Sequence, residues 1–315
     1  MKKILLSAIV SLFIIPVMTQ ENTTLKLNLE KNKLHRLKSV SGQTVTQTVS
    51  GNQQTVETKS EYTFSVKMLD MTPDFMVTEV HFDTIIINTN TMGKTSTFNS
   101  TVEGDMKSSE TSDIMSCILN RLSKNALYVK LDFTGKPVEI VNTKMLSDMI
   151  LKDTASISLA EPAAAALKAQ ITGMVSDNAL KTMIGGFTWH LPGIEISVGD
   201  EWERTEQTNS GGMLLAITTN YHLDRISGNN ASITVESSIK AVENAPPIKS
   251  AGAIVTYDNL MGMSKSSLVI DIRTGLVFKD EAQIRISGNL GVSAPGFSMQ
   301  IPMNINGETK VTHLQ

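Results

Sequence analysis

The stretch MVTEVHFDTII, residues 76–86, alternates apolar or small side chains with polar ones at every second position. Successive side chains of an extended chain point to opposite faces, so this period predicts a strand with one buried and one solvated face. The segments at 25–29 and 62–68 repeat the pattern, and turn sequences at 30–33, 50–52 and 73–74 separate the three. Residues 24–90 are therefore predicted to form long antiparallel strands joined by short turns.

The period changes between residues 110 and 186, where apolar side chains recur every three or four positions, as in amphipathic helices. Four short helices are predicted: one with Thr111 or Ser112 as N-cap, one behind Thr143, one from Glu161-Pro162, and one from Asn178 to Ile184. Gly185-Gly186 is expected to end the fourth helix, because glycine favours C-terminal caps. A hairpin at 127–141 interrupts the segment. The single broad apolar face of these helices predicts that they pack on a sheet.

Strand patterns return from residue 194 to 311, with turn sequences at 228–230, 246–247, 274–275 and 295–296. The order is therefore strands, helices, strands. It predicts an α+β fold with one large curved antiparallel sheet, similar to half of a barrel and built from both ends of the chain. Three to four short helices from the middle of the chain are expected to pack on one face. Residues 20–315 are expected to form a single domain.

Residues 1–19 have the three parts of a cleavable secretory signal peptide. Lys2 and Lys3 supply the positive start, and an apolar run at 4–17 follows. Val17 and Thr19 then occupy the third and first positions before a cut between Thr19 and Gln20. The apolar run is shorter than the ~20 residues that span a bilayer. The sequence therefore predicts export to the periplasm or the cell exterior, with no membrane span after signal removal.

The one cysteine, Cys117, lies far from the predicted cut. Lipid attachment needs a cysteine at the cut, so the exported chain is predicted to be soluble and not a lipoprotein. A single cysteine also forms no intramolecular disulfide, which leaves stability to the hydrophobic core. Removal of residues 1–19, which contain two lysines and no acidic residue, changes the formal net charge from −3 to −5. That charge argues against a nucleic-acid partner, which would require clustered basic residues.

Catalytic and metal-binding patterns were sought among the polar residues. The five histidines (His35, His81, His190, His222 and His313) lack the paired spacing of zinc ligands. No Gly-x-Ser-x-Gly segment marks a hydrolase nucleophile. We therefore expect no enzyme activity, no catalytic residues, no metal site and no cofactor.

Methionine is unusually frequent, with 17 residues in the whole chain. Its flexible, polarisable side chain suits a cavity for variable apolar ligands, and it also suits an irregular core without a ligand. On the first interpretation, a cavity between helices and sheet would be lined on the helical side by Leu167, Ile171, Met174, Met183, Phe187 and Trp189.

Two segments share a pattern of an apolar residue, aspartate, a short spacer, Thr-Gly and an apolar strand. They are LDFTGKPV at 131–138 and IDIRTGLV at 270–277. In each, the aspartate can cap the turn and the glycine can take a positive φ. Two hypotheses stay open: a duplicated half-domain, or two hairpins that form the same turn independently.

Three segments, TGKPVEIVN (134–142), LPGIEISVGDEW (191–202) and DIRTGL (271–276), together with the signal peptide, resemble a family of exported bacterial proteins of unknown function. The order of strands, helices and strands and the Asp-x-x-Thr-Gly-Leu hairpin also resemble, more distantly, the lipoprotein-carrier proteins of the bacterial envelope. That resemblance implies helices that plug an open half-barrel, and a space between them that holds acyl chains. This chain differs from lipidated members because residue 20 is not cysteine.

Three functional hypotheses follow for an exported envelope protein. The first is a non-catalytic binding module for a lipid or other apolar small molecule. The second is a structural or interaction module that meets an envelope protein through a sheet edge or the Thr/Ser/Gln-rich strands at 43–59. The third is an enzyme of unrecognised type. Asp83-Thr84 and Asp153-Thr154 also match a short pattern that some secretory systems glycosylate. The oligomeric state is not predicted.

Cleavage is testable by intact mass spectrometry of the protein recovered from the envelope and medium of a bacterial host. We expect a mature chain that begins at Gln20. Recovery of the uncut chain alone would contradict the predicted signal peptide.

Overall fold

The computed structural model describes residues 22–210, 212–250, 253–257 and 259–314. The predicted signal peptide and its cleavage site after Thr19 lie outside the described residues. The described chain is mostly strand, and its helices come from the middle of the sequence. This order of strands, helices and strands is the predicted one.

The secondary-structure elements follow one another with short connections. The strands before the first helix are β1 (Asn22–Thr24), β2 (Leu34–Val49), β3 (Asn52–Met71), β4 (Met76–Thr91) and β5 (Lys94–Asn99). The middle segment contains α1 (Thr111–Ser123), β6 (Leu127–Leu131), β7 (Pro137–Ile140), α2 (Thr143–Ile150), a 3-10 turn (Thr154–Ser156), α3 (Ala163–Met174) and α4 (Asp177–Thr188). The remaining strands are β8 (Glu195–Ser197), β9 (Glu201–Ser210), β10 (Met213–Ser227), β11 (Asn230–Ala241), β12 (Ile248–Ser250), β13 (Ala253–Thr256), β14 (Met261–Asp271), β15 (Leu276–Ala294) and β16 (Phe297–Leu314).

One large antiparallel sheet contains fourteen of the described strands, and its main path runs β7-β6-β4-β3-β2-β16-β15-β14-β11-β10-β9. Strands β7 and β9 lie at opposite ends of this path, so the sheet is not closed into a barrel. The two ends of the chain meet where β2 pairs with β16, in a ladder from Arg36↔Leu314 to Gln47↔Met303. The predicted half-barrel, built from both ends of the chain, is therefore confirmed.

The strand at residues 76–86 contains a β-bulge that the alternation does not predict. Alternation predicts that Ile86 continues the buried face, but the register between β3 and β4 shifts after Phe82, which pairs with Phe64. Ile85 then pairs with Tyr62 and is fully buried, whereas Ile86 is partly exposed. A bulge inserts one unpaired residue and thereby moves the following side chains to the other face.

Two helix ends differ from their predictions. Helix α1 begins at Thr111, so its N-cap position falls on Glu110, which makes no side-chain cap. Helix α4 continues past Gly185-Gly186 to Thr188. Its last turn is held by tertiary contacts, because the Thr188 hydroxyl donates to the carbonyl of Gly135 at 2.7 Å. These contacts outweigh the local preference of glycine for a helix end.

Residues 25–29 form an extended segment, here called the strap, that crosses the end of the sheet. Alternation at every second residue predicts a strand that pairs with a neighbouring strand along its length. The strap instead forms backbone hydrogen bonds with three separate segments. The N–H of Leu27 donates to Phe133 (2.8 Å) and that of Asn28 to Thr274 (2.9 Å), while Leu25 exchanges hydrogen bonds with residues 193 and 194. The strap thus connects both Thr-Gly turns.

The alternating leucines of the strap enter the main core. Leu25 and Leu27 are fully buried and Leu29 is nearly so, packed in one cluster with residues from the helices and both halves of the sheet. Burial of a leucine side chain is worth about 2 kcal/mol. Gly275, at φ +74°, lies so close to the strap that a Cβ there would meet the Lys26 carbonyl oxygen at 2.4 Å. Only glycine fits both the turn and this approach.

Replacement of Leu27 by alanine tests the strap. We expect Leu27→Ala to lower the free energy of unfolding by about 3 kcal/mol, since it leaves a cavity where both halves of the sheet meet. Lys26→Ala, on the exposed side of the strap, is the control and should change it little. Urea unfolding measures both. Equal stability of the two variants would contradict the bridging role.

Candidate functional site

The sheet has an inner face, defined as the face on which the helices pack. The register of paired residues places inner-face side chains in rows that cross neighbouring strands. One row begins at Leu223 and runs through Ile233, Leu268, Asp280 and Val311. It belongs to the main core beneath the helices, because Leu223, Ile233, Leu268 and Val311 are all buried there.

The next two rows are made largely of small side chains. Together these residues are here called the small-residue belt: Ser266, Ala282, Thr309, Ser41 and Ser60 on five adjacent strands, and Ser237, Ser264 and Gly307 in the following row. All of them are partly exposed. The second row also contains larger side chains: Ile284 between Ser264 and Gly307, Gln43 beyond Gly307, and Arg204 at its other end. The belt therefore lies lower than the bulky residues on either side of it and is open to solvent.

A second apolar cluster borders the belt on the side away from the helices. Its buried members on the sheet are Leu215, Ile239, Ile286, Met303 and Ile305. Tyr257 and Leu260, from the segment between β13 and β14, complete the cluster. The Tyr257 hydroxyl accepts a hydrogen bond from the Leu214 N–H at 3.0 Å and donates to the Pro246 carbonyl at 3.1 Å. This fixes the segment against β10.

Partly exposed apolar side chains lie along the belt. Ile217 and Ile284 pack against the second cluster, and Trp202 and Tyr62 against the main core, without being buried. The arrangement is an open trough with a floor of hydroxyl, methyl and glycine groups and two apolar walls. Such a surface can hold an extended apolar molecule.

The six residues predicted to line a cavity are brought together only in part. Leu167, Ile171 and Phe187 are buried in the main core, and Met174 and Met183 pack against it half-buried. The Phe187 ring stacks on Phe64 at 4.6 Å between centroids. At Phe187 the space between helix and sheet is therefore filled. The contact of the five residues with a ligand stays a prediction.

Trp189, the sixth residue, lies where α4 meets both ends of the sheet. The charged groups of Lys136 and Arg204 lie 4.9 and 4.6 Å from its ring centroid. Arg204 also donates to the Trp189 carbonyl and pairs with Glu206 at 2.9 Å. Lys136 precedes β7 and Arg204 belongs to β9, so Trp189 connects the two unpaired edges through cation–π contacts.

Titratable groups lie at the end of the trough near the helices. Burial raises the pKa of Tyr221 to about 12, which keeps its phenol neutral. Burial also raises the pKa of Asp280, although hydrogen bonds from Ser266 and the Glu281 backbone act against it. The Oδ1 atom of Asp280 is buried and has no hydrogen-bond partner among the described residues. A buried, poorly satisfied carboxyl group lowers stability when it is ionised.

Sequence periodicity does not reveal the small-residue belt, because its members are polar or neutral and carry no apolar signal. A weak sign is present in Ser264-Lys265-Ser266, where serine occupies two successive inner positions of β14. The rows become visible only through the register, which joins strands up to about 270 residues apart, as in Ser41↔Thr309.

Among the described residues, no three or more His, Cys, Asp or Glu side chains are grouped so that they could hold a metal ion. None of the helices in the described part of the chain combines the length and apolarity that crossing a bilayer requires.

Asp280→Asn tests the buried carboxyl group. Between the unfolded-state pKa of 3.8 and the raised folded-state pKa, the folded protein binds more protons, so the stability due to Asp280 falls as pH rises. We expect the variant to flatten this part of the stability profile and to raise the free energy of unfolding at neutral pH by about 1 kcal/mol. Urea unfolding at acidic and neutral pH measures both effects. The neighbouring exposed Glu281→Gln is the control, and the same gain in it would contradict the assignment.

Comparison with known proteins gives a family and distant structural likenesses. Among solved structures, a lipovitellin determined for its lipid–protein interactions is 9% identical to this chain, with a TM-score of 0.47. The match covers 91% of this chain and 26% of the lipovitellin chain, so this chain spans about a quarter of the length of lipovitellin. An outer membrane lipoprotein-sorting protein domain from Vibrio parahaemolyticus is 9% identical, with a TM-score of 0.13 and coverage of 88% and 83%. A DUF1329 family protein from Desulfovibrio piger is 8% identical, with a TM-score of 0.13 and coverage of 86% and 83%. Likenesses this distant carry no function from one protein to another.

A search of curated proteins gives no match. One family description, "Family of unknown function (DUF6263)", matches residues 73–277. The matched region contains the helical segment and both Thr-Gly turns. Because the match covers more than half of the chain, the protein belongs to this family.

Proposed function

We propose that the protein is an exported, non-catalytic component of the bacterial envelope that binds an apolar, lipid-like ligand in the trough of the inner face. The observation that carries this proposal is the small-residue belt, in which Ser266, Ala282, Thr309, Ser41 and Ser60 follow one another on five adjacent strands. Bulky side chains at these positions would fill the inner face. Small ones leave room beside apolar walls.

The energetics of the walls support an occupant. Half-exposed apolar side chains such as Ile217, Ile284 and Tyr62 lose water contact when an acyl chain covers them. Each square ångström of apolar area removed from water is worth about 25 cal/mol, so an acyl chain that covers a few such side chains gains several kcal/mol. The serine and threonine hydroxyls of the floor tolerate contact with methylene groups, because they can also bond to water or to the backbone.

The proposal places the ligand differently from the cavity predicted beneath the helices. Leu167, Ile171 and Phe187 would then act only through the main core, which forms the first wall of the trough, and Met174 and Met183 pack against that core. This arrangement keeps the predicted ligand class of a lipid or apolar small molecule. It moves the contact surface from helices α3 and α4 to the strands that carry the belt, β2, β3, β11, β14, β15 and β16.

A second candidate function is interaction with an envelope protein. The outer part of the β2–β3 hairpin, from Thr46 to Thr55, contributes no buried residue. Its turn is formed by Ser50 and Gly51, both at positive φ. A solvated, Thr/Gln-rich tip of this kind would suit a polar contact with a partner, and crosslinking in the envelope would identify one.

The trough is tested by filling its floor. Ser264→Phe places an aromatic ring in the second row of the belt, and Ser267→Phe places the same ring on the exposed outer face of the same strand. Binding of a fluorescent long-chain fatty acid is followed by titration. We expect Ser264→Phe to weaken binding at least about tenfold, a loss of about 1.4 kcal/mol, and Ser267→Phe to leave it unchanged.

Circular dichroism and urea unfolding confirm that both variants are folded. Equal loss in the two variants, or binding by neither variant nor the unsubstituted protein, would sink the proposal. Loss confined to Ser264→Phe supports it, and Leu215→Phe, in the second wall, should then have an intermediate effect.

A further inference from the structure

An exposed apolar patch lies at the edge of the sheet next to helix α2. Sixteen large apolar side chains are exposed in the described part of the chain, and five of them fall between residues 128 and 149. They are Tyr128 (37% exposed), Val138 (50%), Val141 (55%), Met145 (55%) and Met149 (43%). These five residues are here called the α2 patch. Such clustering is not the scattered exposure that is ordinary for single apolar residues.

The geometry makes the patch continuous. Val141, Met145 and Met149 are spaced by four residues, so they form one stripe along the helix and the residues that lead into it. The N–H of Val141 donates to the carbonyl of Tyr128 at 2.8 Å, which sets these two residues side by side. Leu146 and Ile150, on the other side of α2, are buried and attach the helix to the core. The stripe is therefore not needed for folding.

Positive charge surrounds the patch. Residues 121–153 contain six basic and four acidic side chains, a formal charge of +2 in a chain whose total is −3. Arg121 and Lys130 form ion pairs with Asp153 and Glu139. Lys144, Asp148 and Lys152 line the shallow concavity of about 600 Å³ beside the methionines, and none of the three has an ion pair among the described residues. The concavity therefore carries a formal charge of +1 that is available to an external partner.

We propose that the α2 patch docks the protein on a lipid bilayer surface that carries anionic headgroups. An amphipathic helix with apolar side chains on one side and lysines at its rim lies in the headgroup region, and anionic lipid adds about 1 kcal/mol for each lysine near the surface. Flexible methionine side chains adapt to a fluid surface.

The area of the patch is that of a functional surface. Five half-exposed side chains offer about 400 Å² of apolar area, which is in the range of functional surface patches. Lys144 and Lys152 at its rim favour anionic lipid as the occupant. The inference goes beyond ligand binding in the trough and does not depend on it.

Vesicle sedimentation tests the docking surface. The purified protein is mixed with vesicles of phosphatidylcholine and phosphatidylglycerol in equal parts, or of phosphatidylcholine alone. We expect binding to the anionic vesicles that weakens with salt, and at least about tenfold weaker binding of the double variant Met145→Glu/Met149→Glu. Met261→Glu/Met263→Glu is the matched control, because Met261 and Met263 are 64% and 59% exposed on β14, away from the patch, and the charge change is the same.

The outcomes separate this inference from the proposed function. Ser264→Phe should bind vesicles like the unsubstituted protein, because the belt is not part of the α2 patch. Vesicle binding that the α2 double variant retains, or that the control Met261→Glu/Met263→Glu loses equally, would overturn the inference. Absence of vesicle binding would overturn the inference as well. If the double substitution then also converts a dimer to a monomer in sedimentation velocity, the patch is a contact with a second copy of the chain.

Discussion

The strap holds the architecture together through a few backbone hydrogen bonds. Leu27 and Asn28 donate to Phe133 and Thr274, two residues that belong to opposite halves of the chain. Between these bonds the strap leucines enter the main core. A sheet that is not closed into a barrel needs such a connection, because its two edges are not joined by a ladder. The strap connects the two halves of the sheet at one end, and the helices pack on the sheet at that same end.

The openness of the rest of the sheet follows from this arrangement. At the helical end, side-chain contacts of Trp189, the residue that follows α4, connect β7 with β9. In the described sheet no backbone ladder joins these two strands, so both are edge strands. The small-residue belt then separates the core beneath the helices from the second cluster around Tyr257. Burial decreases across the belt and increases again beyond it. The protein thus has a firmly packed end and a solvated trough in the same sheet.

The sequence predicted the large features because they rest on local periodicity. Period two at 62–68 and 76–82 marked the long strands, and helical spacing at 114–122 marked α1. The errors arose where tertiary contacts override local preference. The bulge before Ile85 changes the buried face, and the Thr188–Gly135 hydrogen bond extends α4 beyond its glycines. The trough could not be predicted, because its rows depend on register between distant strands.

Native mass spectrometry of the protein released gently from cells tests whether the trough is occupied. The same sample is measured under native and denaturing conditions. We expect an added mass in the range of a fatty acid or membrane lipid under native conditions, and its release on denaturation. Identical bare masses under both conditions, from every cell fraction that contains the protein, would show that the trough carries no ligand.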